Sequence, residues 1–245
     1  GSNSICVATV ILETGIVAMQ EPRTELILEA PGGLVHITAH CDAGKVRSVR
    51  VRNVPSFACA LDRSLDVPGL GRLKVDIAYG GDSFVVVNVE GLGFELVPRE
   101  ARELAQLGVR ITDAATEQIG FSHPENPDWK HVSFCLFAAP IRRRDDVLET
   151  RHAVAIRPGK IDRSPTGTGV SARLALLHAR QAIAPGESLV AQSIIGSRFT
   201  GRIESETTVG DLAAIVPSIE GRAWRTGSRQ VYVDPGDPWP EGYRV

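Results

Sequence analysis

The sequence predicts an α+β fold with an internal duplication, in which each copy buries one apolar helix inside a shell of strands. Two segments have helical character and begin at turns rich in glycine and hydroxyl residues: Gly1–Ser4 leads into residues 5–12, and Thr166–Gly169 leads into residues 170–180. Small or polar residues in the first turn, followed by an apolar body that contains alanine, suit a helix that is buried against a sheet. The same order of strand patterns follows both helices.

The strand patterns of the two copies correspond one to one. They fall at 25–30, 34–39 and 46–51 in the first copy, with a turn at Pro31-Gly32-Gly33 between the first two, and at 188–195, 198–204 and 212–216 in the second. Alignment of Gly1 with Gly167 gives an offset of 166 residues, which also pairs Val46 with Leu212. The register holds without large gaps, so the chain carries an internal repeat.

The second helix follows a long run of further signals, with strands at 73–87, 131–138 and 153–156 and a helix at 98–107. Nothing comparable precedes the first helix. We therefore expect a strand-rich segment of about half a domain upstream of Gly1 in the full-length protein. Residues 1–90 are then the remainder of the first half, to which 226–245 return, and residues 91–225 form the second half.

Composition excludes several classes of function. The 245 residues carry 27 basic and 29 acidic side chains, and the resulting net charge of −2 gives no reason to expect a nucleic-acid partner. The longest apolar stretches, such as 5–12, are far shorter than the roughly 18–20 residues of a membrane span. No secretory signal opens the chain, so we expect a soluble, cytoplasmic protein. The four cysteines form no C-x-x-C pair, and no metal site is expected.

Several motifs carry a resemblance to a known family. The segment Asp162-Arg163-Ser164-Pro165-Thr166-Gly167-Thr168-Gly169 resembles the second signature of the proline racemase family, in which a catalytic cysteine stands where Thr166 stands. The opening residues 1–5 resemble the first signature, with Ser2 in place of a histidine, and residues 78–84, 132–135 and 233–235 also match. The resemblance implies the fold of diaminopimelate epimerase: two pseudo-symmetric halves, each a curved sheet around a central helix, with the active site between them.

The chemistry of this region suits a small anionic amino acid. Unpaired amides and partial positive charge at a helix N-terminus can hold a carboxylate, so we expect Gly1 and Ser2 to bind the substrate together with Gly167 and Thr168. No metal or pyridoxal cofactor is then required. The resemblance further implies that Asp162 contacts the ring nitrogen of the substrate. His123 could reach a hydroxyl group of the ligand, and a surface turn is an equally good interpretation of that histidine.

Thr166 decides between reactions within the family. A racemase or epimerase needs an acid/base group on each face of the α-carbon, and threonine is a poor base, whereas one face suffices for elimination. We therefore predict dehydration of trans-3-hydroxy-L-proline to the cyclic imine 1-pyrroline-2-carboxylate, with Thr166 as a catalytic residue. The alternatives are a 4-hydroxyproline 2-epimerase or proline racemase, and an inactive member that binds amino acids. A homodimer is compatible with the sequence.

Overall fold

The computed structural model describes residues 1–30 and 33–242. Pro31 and Gly32 of the predicted turn, and residues 243–245 of the predicted return to the first half, lie outside this range. The helices are α1 (Ser2–Glu13), α2 (Ala101–Gln118) and α3 (Gly167–Ala179), and a single 3-10 turn (Pro98–Glu100) precedes α2.

Thirteen strands form one mixed sheet in the described part of the chain. They are β1 (Arg23–Ala30), β2 (Gly33–Asp42), β3 (Lys45–Arg52), β4 (Ser56–Val67), β5 (Gly71–Tyr79), β6 (Ser83–Asn88), β7 (Phe134–Ala138), β8 (Arg142–Arg144), β9 (Val147–Ile156), β10 (Lys160–Ile161), β11 (Ser188–Gln192), β12 (Arg198–Val209) and β13 (Leu212–Gly221). The spatial order is β1-β2-β3-β13-β12-β11-β9-β7-β6-β5-β4, and β8 and β10 pair with β9.

A second pairing, between β4 and β13, closes eight of these strands into a barrel around α3. The helix is apolar on most sides, and its buried residues include Val170, Leu174 and Leu176. An enclosed helix needs apolar contacts all round, which explains why this segment lacks the single polar face of a surface helix. By contrast, α2 lies outside the barrel and packs one face, including Leu104 and Ile111, against the strands.

Strands β1 to β3 extend the sheet beyond β13, and α1 packs against this extension. Ile5, Ala8 and Leu12 of α1 pack on this sheet in one apolar cluster with Ile37 and Val49. The connection from β3 to β4 then leads from this extension into the barrel.

The duplication is visible in the positions of the strands and helices along the chain. With the offset of 166 residues, α1 corresponds to 168–179, which is α3, and β2 corresponds to 199–208, which lies within β12. Arg52 pairs with Ser218 in the ladder between β3 and β13. Under the offset of 166 residues, Ser218 is also the residue of the second copy that corresponds to Arg52. The two copies therefore meet edge to edge about an approximate two-fold axis at this pair.

The structure departs from the sequence-based elements in several places, of which three concern whole segments. The helix expected at 98–107 continues to Gln118, because Leu104, Ile111 and Ala115 maintain one buried stripe. The strand expected at 188–195 ends at Gln192, where Ser193 and Ser197 form a hydrogen-bonded turn. The sequence analysis assigned no strand to the segment that forms the long β4.

The boundary between halves stays a prediction. Within the described residues, 222–242 contain neither helix nor strand, although Arg225 donates a hydrogen bond to the carbonyl of Glu13 at the end of α1. None of the three described helices combines the length and the apolar character that crossing a membrane requires.

Candidate active site

The N-termini of α1 and α3 meet at two glycines. A Cβ atom placed on Gly1 would lie 2.9 Å from the Cα of Gly167, and a Cβ placed on Gly167 would lie 2.9 Å from the Cα of Gly1. Only glycine permits this approach of two backbones. The expectation that the two repeated helices converge at one place is confirmed.

Neither helix carries a side-chain cap at this point. The first backbone hydrogen bonds run from Ile5 N to Gly1 O at 3.3 Å and from Val170 N to Thr166 O at 2.8 Å. The amides that precede Ile5 and Val170 in each first turn have no acceptor within their own helix. The positive ends of two helix dipoles therefore face a shared space, which favours an anion.

The turn before α3 holds Thr166 in an unusual conformation. Its φ of 63° and ψ of 108° lie in a region that residues with a Cβ rarely adopt, and the side chain is almost entirely buried. Such strain persists only where the surroundings fix the backbone. Here the carboxylate of Asp162 holds the turn through hydrogen bonds.

Asp162 accepts three hydrogen bonds from this turn. Its Oδ1 accepts from Ser164 N at 2.9 Å, and its Oδ2 accepts from Ser164 Oγ at 3.1 Å and from Thr166 Oγ1 at 2.6 Å. Ser164 Oγ in turn accepts from Thr166 N at 3.1 Å. The short bond from the Thr166 hydroxyl to a carboxylate is of the stronger, charge-assisted kind.

A second glycine turn, Gly80-Gly81, braces the start of α3 from the other side. A Cβ on Gly80 would lie 2.1 Å from the carbonyl oxygen of Thr168, so the two backbones are in contact. Asn53 Nδ2 donates to Gly80 O and to Ser171 Oγ, both at 2.8 Å, and so joins the turn to the helix. The sequence analysis missed Asn53, because no local pattern marks an asparagine after a strand as a bridge between distant segments.

A cavity of about 710 Å³ lies beside the helix N-termini, and Ser2 and Asp162 are among its walls. Three arginines and this one carboxylate provide the charges of its lining; the arginines are Arg163, Arg198 and Arg222. Arg222 also lies 5.1 Å from the ring centroid of Trp224. The surplus of positive charge suits an anionic ligand. The lining does not include Gly1, Thr166, Gly167 or Thr168. Thr166 is joined to it by the hydrogen bond to Asp162, and Gly167 contacts Gly1, the neighbour of the lining residue Ser2.

His123 lies elsewhere, in a cluster of rings. Its centroid is 4.7 Å from that of Tyr79 and 5.4 Å from that of Phe57, and it forms an isolated bridge with Asn126. Burial lowers the pKa of His123, and nearby Glu125 acts in the opposite direction. The structure does not bring His123 to the cavity that Ser2 and Asp162 line, and its role in substrate binding stays a prediction.

His152 is a buried group that the sequence analysis did not single out. It is fully buried on β9, and burial together with the positive charge of Arg173 lowers the pKa of His152 to about 3. The carbonyl of Pro165, next to Thr166, acts in the opposite direction, although neither ring nitrogen forms a hydrogen bond with a described residue. The imidazole is therefore neutral near pH 7, and it lies beside Pro165 in the turn that precedes α3.

Comparisons with known proteins give the family of this chain. The fold and the converging helices define the class, a duplicated α+β protein with two helix N-termini at one point. The chain belongs to the proline racemase family, whose model, described as proline racemase, matches residues 1–244. Across residues 1–30 and 33–242, no cluster of three or more His, Cys, Asp or Glu side chains is arranged to hold a metal ion.

Two solved structures are similar over the whole chain. One is a probable proline racemase from Agrobacterium radiobacter K84 with bound carbonate, at 40% identity and a TM-score of 0.88, covering 100% of this chain and 71% of its own. The other is a hydroxyproline epimerase from Agrobacterium vitis with bound trans-4-hydroxy-L-proline, at 40% identity and a TM-score of 0.88, covering 100% of this chain and 70% of its own.

A more distant structure shares the fold alone. It is a Bacillus anthracis phenazine biosynthesis protein of the PhzF family, at 11% identity and a TM-score of 0.54, covering 89% of this chain and 71% of its own. The α+β fold class expected from the sequence is confirmed by these neighbours together with the large curved sheet.

Proposed function

We propose that this protein is a cofactor-independent dehydratase that converts trans-3-hydroxy-L-proline to 1-pyrroline-2-carboxylate. One observation carries the proposal. At the position where the family signature has its second catalytic cysteine, the chain has Thr166, whose hydroxyl donates to Asp162 at 2.6 Å. A threonine hydroxyl is too weak an acid to serve as a resting base near neutral pH, so this face of the substrate has a hydrogen-bond donor rather than a second base.

The helix N-termini supply the binding site for the substrate carboxylate. The uncapped first turns that begin at Gly1 and Gly167 present backbone N–H groups, and the contact between the two glycines brings both sets to one point. Negative charge moves onto the carboxylate as the α-proton leaves. Donors fixed around it stabilise the transition state more than the ground state.

Elimination then needs one base and one acid. The base removes the α-proton from the first face, the C2–C3 double bond forms, and the bond between C3 and the hydroxyl oxygen breaks. The leaving hydroxyl takes the proton of the Thr166 hydroxyl and departs as water, and Thr166 regains a proton from the substrate ammonium through Asp162, which leaves the enamine nitrogen neutral. The resulting enamine gains a proton at C3, loses one from nitrogen, and becomes the cyclic imine.

Asp162 connects binding to this proton transfer. In the structure without substrate, its Oδ2 is the acceptor for the Thr166 hydroxyl. A secondary ammonium of the substrate is a stronger donor to a carboxylate than a neutral hydroxyl. Its arrival would release the Thr166 hydroxyl to donate to the leaving oxygen, so Asp162 serves as the ammonium site and as the switch for Thr166.

The base on the first face is proposed at the position before Gly1. The repeat offset makes that position the counterpart of Thr166, and it lies outside the 245 residues. A cysteine at a helix N-terminus has a lowered pKa and can accept a proton near neutral pH. A serine would need an activating base, for which no residue of the sequence is assigned.

A second candidate is epimerisation of 4-hydroxyproline or racemisation of proline. The two similar structures with 40% identity favour it, because one is described as a hydroxyproline epimerase and the other as a probable proline racemase. Either reaction requires proton delivery to the second face, where Thr166 stands.

The two candidates give different products from the full-length protein. Incubation with trans-3-hydroxy-L-proline should produce the imine, which is measured by its absorbance or by coupled reduction to proline. Incubation with L-proline or trans-4-hydroxy-L-proline, followed by chiral chromatography, should leave the configuration unchanged. Rapid formation of the D-configured product with negligible imine would establish the second candidate instead.

A further inference from the structure

The far mouth of the barrel contains a second cavity, separate from the helix N-termini. It has a volume of about 490 Å³ and is bounded by β5, by the ends of β6 and β7, and by the second half of α3. Arg173 of α3 is one of its walls and lies six residues beyond Gly167, which corresponds to about 9 Å along the helix. Mouths of β-barrels are common places for ligand sites.

Arg173 is a partly buried cation that forms no ion pair with a described residue. No described residue forms a hydrogen bond with its Nε, which is shielded from solvent. Burial lowers the pKa of Arg173, while Asp76 opposes this effect and Arg180 adds to it. A partly buried guanidinium whose shielded Nε lacks a partner has lost part of its hydration without compensation, so a structure that retains one calls for an explanation.

The neighbouring carboxylates are already engaged. Asp76 accepts from Arg180 Nη1 at 2.9 Å and from Arg180 Nη2 at 2.8 Å, and its Oδ1 also accepts from Asp62 N at 2.9 Å. Asp62 pairs with Lys74 and with Arg180, each at 3.1 Å. The local acids therefore neutralise Arg180 and Lys74, and Arg173 is left over.

The positions of the charged side chains in the lining also bear on Arg173. Its charged members are Arg72, Lys74, Arg173 and Arg180 on the basic side and Asp62, Asp76 and Glu90 on the acidic side. Glu90 is exposed at the rim, and Arg72 pairs with Asp66 outside the cavity. Without Arg72, the lining has three basic and three acidic side chains, and Glu90 is the acid that forms no ion pair with a described residue. While Glu90 stays at the exposed rim, the charge of Arg173 at the base of the cavity is not balanced locally.

Arg173 is also not required by the repeat. Its counterpart in α1 is Val7, so the same helical position accepts an apolar residue in the other copy. A second buried polar group lies nearby: His152, whose two ring nitrogens also lack hydrogen bonds. All the buried side-chain nitrogen and oxygen atoms without a partner in the described chain belong to these two residues.

We propose that the barrel-mouth cavity binds a small oxyanion, a carboxylate or a phosphate group, on the guanidinium of Arg173. The planar fork of arginine matches both groups, which it binds through two parallel hydrogen bonds. An anion there would balance the remaining charge at the base of the cavity. The site is distinct from the cleft at Gly1 and Gly167 and independent of the reaction proposed above.

Thermal unfolding of the full chain tests the site. The melting temperature is measured in a zwitterionic buffer with inorganic phosphate, with acetate, or with chloride, all at equal ionic strength. A bound oxyanion stabilises the folded state, so phosphate or acetate well above its Kd should raise Tm by about 2–4 °C, and chloride should not. Phosphate alone would indicate a phosphate site and acetate alone a carboxylate site, whereas no rise with either overturns the proposal.

Variants locate the effect. Arg173→Met removes the charge and keeps an unbranched side chain, so the oxyanion-dependent rise in Tm should disappear; Arg173→Lys keeps the charge without the fork and should show a reduced rise. Arg102→Met, which removes an exposed arginine of α2 that forms no ion pair with a described residue, should respond like the wild type. An equal rise in all three variants would place the anion elsewhere and overturn the proposal.

Glu90 provides the last control. If its side chain swings in to pair with Arg173, Glu90→Gln should destabilise the anion-free protein and Arg173→Met should do the same, which would mean that the site neutralises itself. The proposal expects Glu90→Gln to leave the anion-free Tm unchanged and to strengthen phosphate or acetate binding. A crystal grown with the stabilising anion should then show it against Arg173, and Arg173→Lys carries the test should Arg173→Met not fold.

Discussion

Thr166 Oγ1 donates to Asp162 Oδ2 at 2.6 Å across a turn in which the threonine backbone has a φ of 63°. The two residues are four apart in the sequence, so the hydrogen bond joins two side chains of the same turn. The bond fixes the direction of the one proton that Thr166 can deliver. It also explains how a residue with a Cβ is held in this conformation, because the same carboxylate accepts two hydrogen bonds from Ser164.

Replacement of Thr166 by cysteine should add chemistry on the second face. A thiol at this helix N-terminus can exchange protons near neutral pH, whereas a threonine hydroxyl cannot. Thr166→Cys should therefore incorporate solvent deuterium at the α-carbon of L-proline, measured by mass spectrometry, and form some D-proline. Absence of exchange in the variant would mean that more than one side chain closes this face.

Removal of the Thr166 hydroxyl should slow loss of water. Thr166→Val keeps the shape but has no donor, so kcat for imine formation should fall about ten- to a thousand-fold, with KM little changed. Asp162→Asn should raise KM as well, because the ammonium site loses its charge. Thr14→Val, which removes an exposed hydroxyl that donates to the Val10 carbonyl, is the matched control and should keep full activity. A Thr166→Val enzyme with normal kcat would assign the hydroxyl a structural role alone.

The contact of the two glycines should tolerate no side chain. Gly167→Ala would place a Cβ 2.9 Å from the Cα of Gly1, which forces the two helix N-termini apart. We expect a loss of about 1–3 kcal/mol in the free energy of unfolding and a larger loss of kcat/KM. Gly227→Ala is the control, since a Cβ there meets no atom within 4 Å. Denaturant unfolding and the imine assay measure the two effects, and equal behaviour of both variants would refute the close contact.

His152 should make the protein sensitive to acid. Its pKa of about 3 in the folded protein lies below the ordinary value of 6.5, so between these pH values the unfolded chain binds a proton that the folded chain does not. Stability from this group is complete above pH 6.5 and is lost as pH falls toward 3, by up to ~1.4 kcal/mol per pH unit. His152→Leu should flatten the pH dependence of the unfolding free energy in that range. A variant with the same slope as the wild type would show that His152 is protonated in the folded state.

Part of the fold could be predicted because both copies of the repeat show the same local sequence patterns. Helix starts at Gly1 and Gly167 and alternating strands repeat at an offset of 166 residues, and equivalent sequences adopt equivalent structures. The sequence analysis also placed Gly1 and Gly167 at one substrate site, although it did not predict that their backbones touch. The full length of α2 and the end of β11 at Gln192 were missed, since both depend on which distant residues cover each segment.

The site divides in the same way. The sequence by itself determined that Thr166 replaces a cysteine and that Asp162 stands four residues before it, because these are identities and spacings. Only the tertiary structure decided that β4 closes the barrel on β13, that Asn53 joins Gly80 to Ser171, and that no described residue forms an ion pair with Arg173. These contacts join residues that are far apart in the chain. Their geometry depends on how the whole sheet curves around α3, and a local pattern holds no record of that curvature.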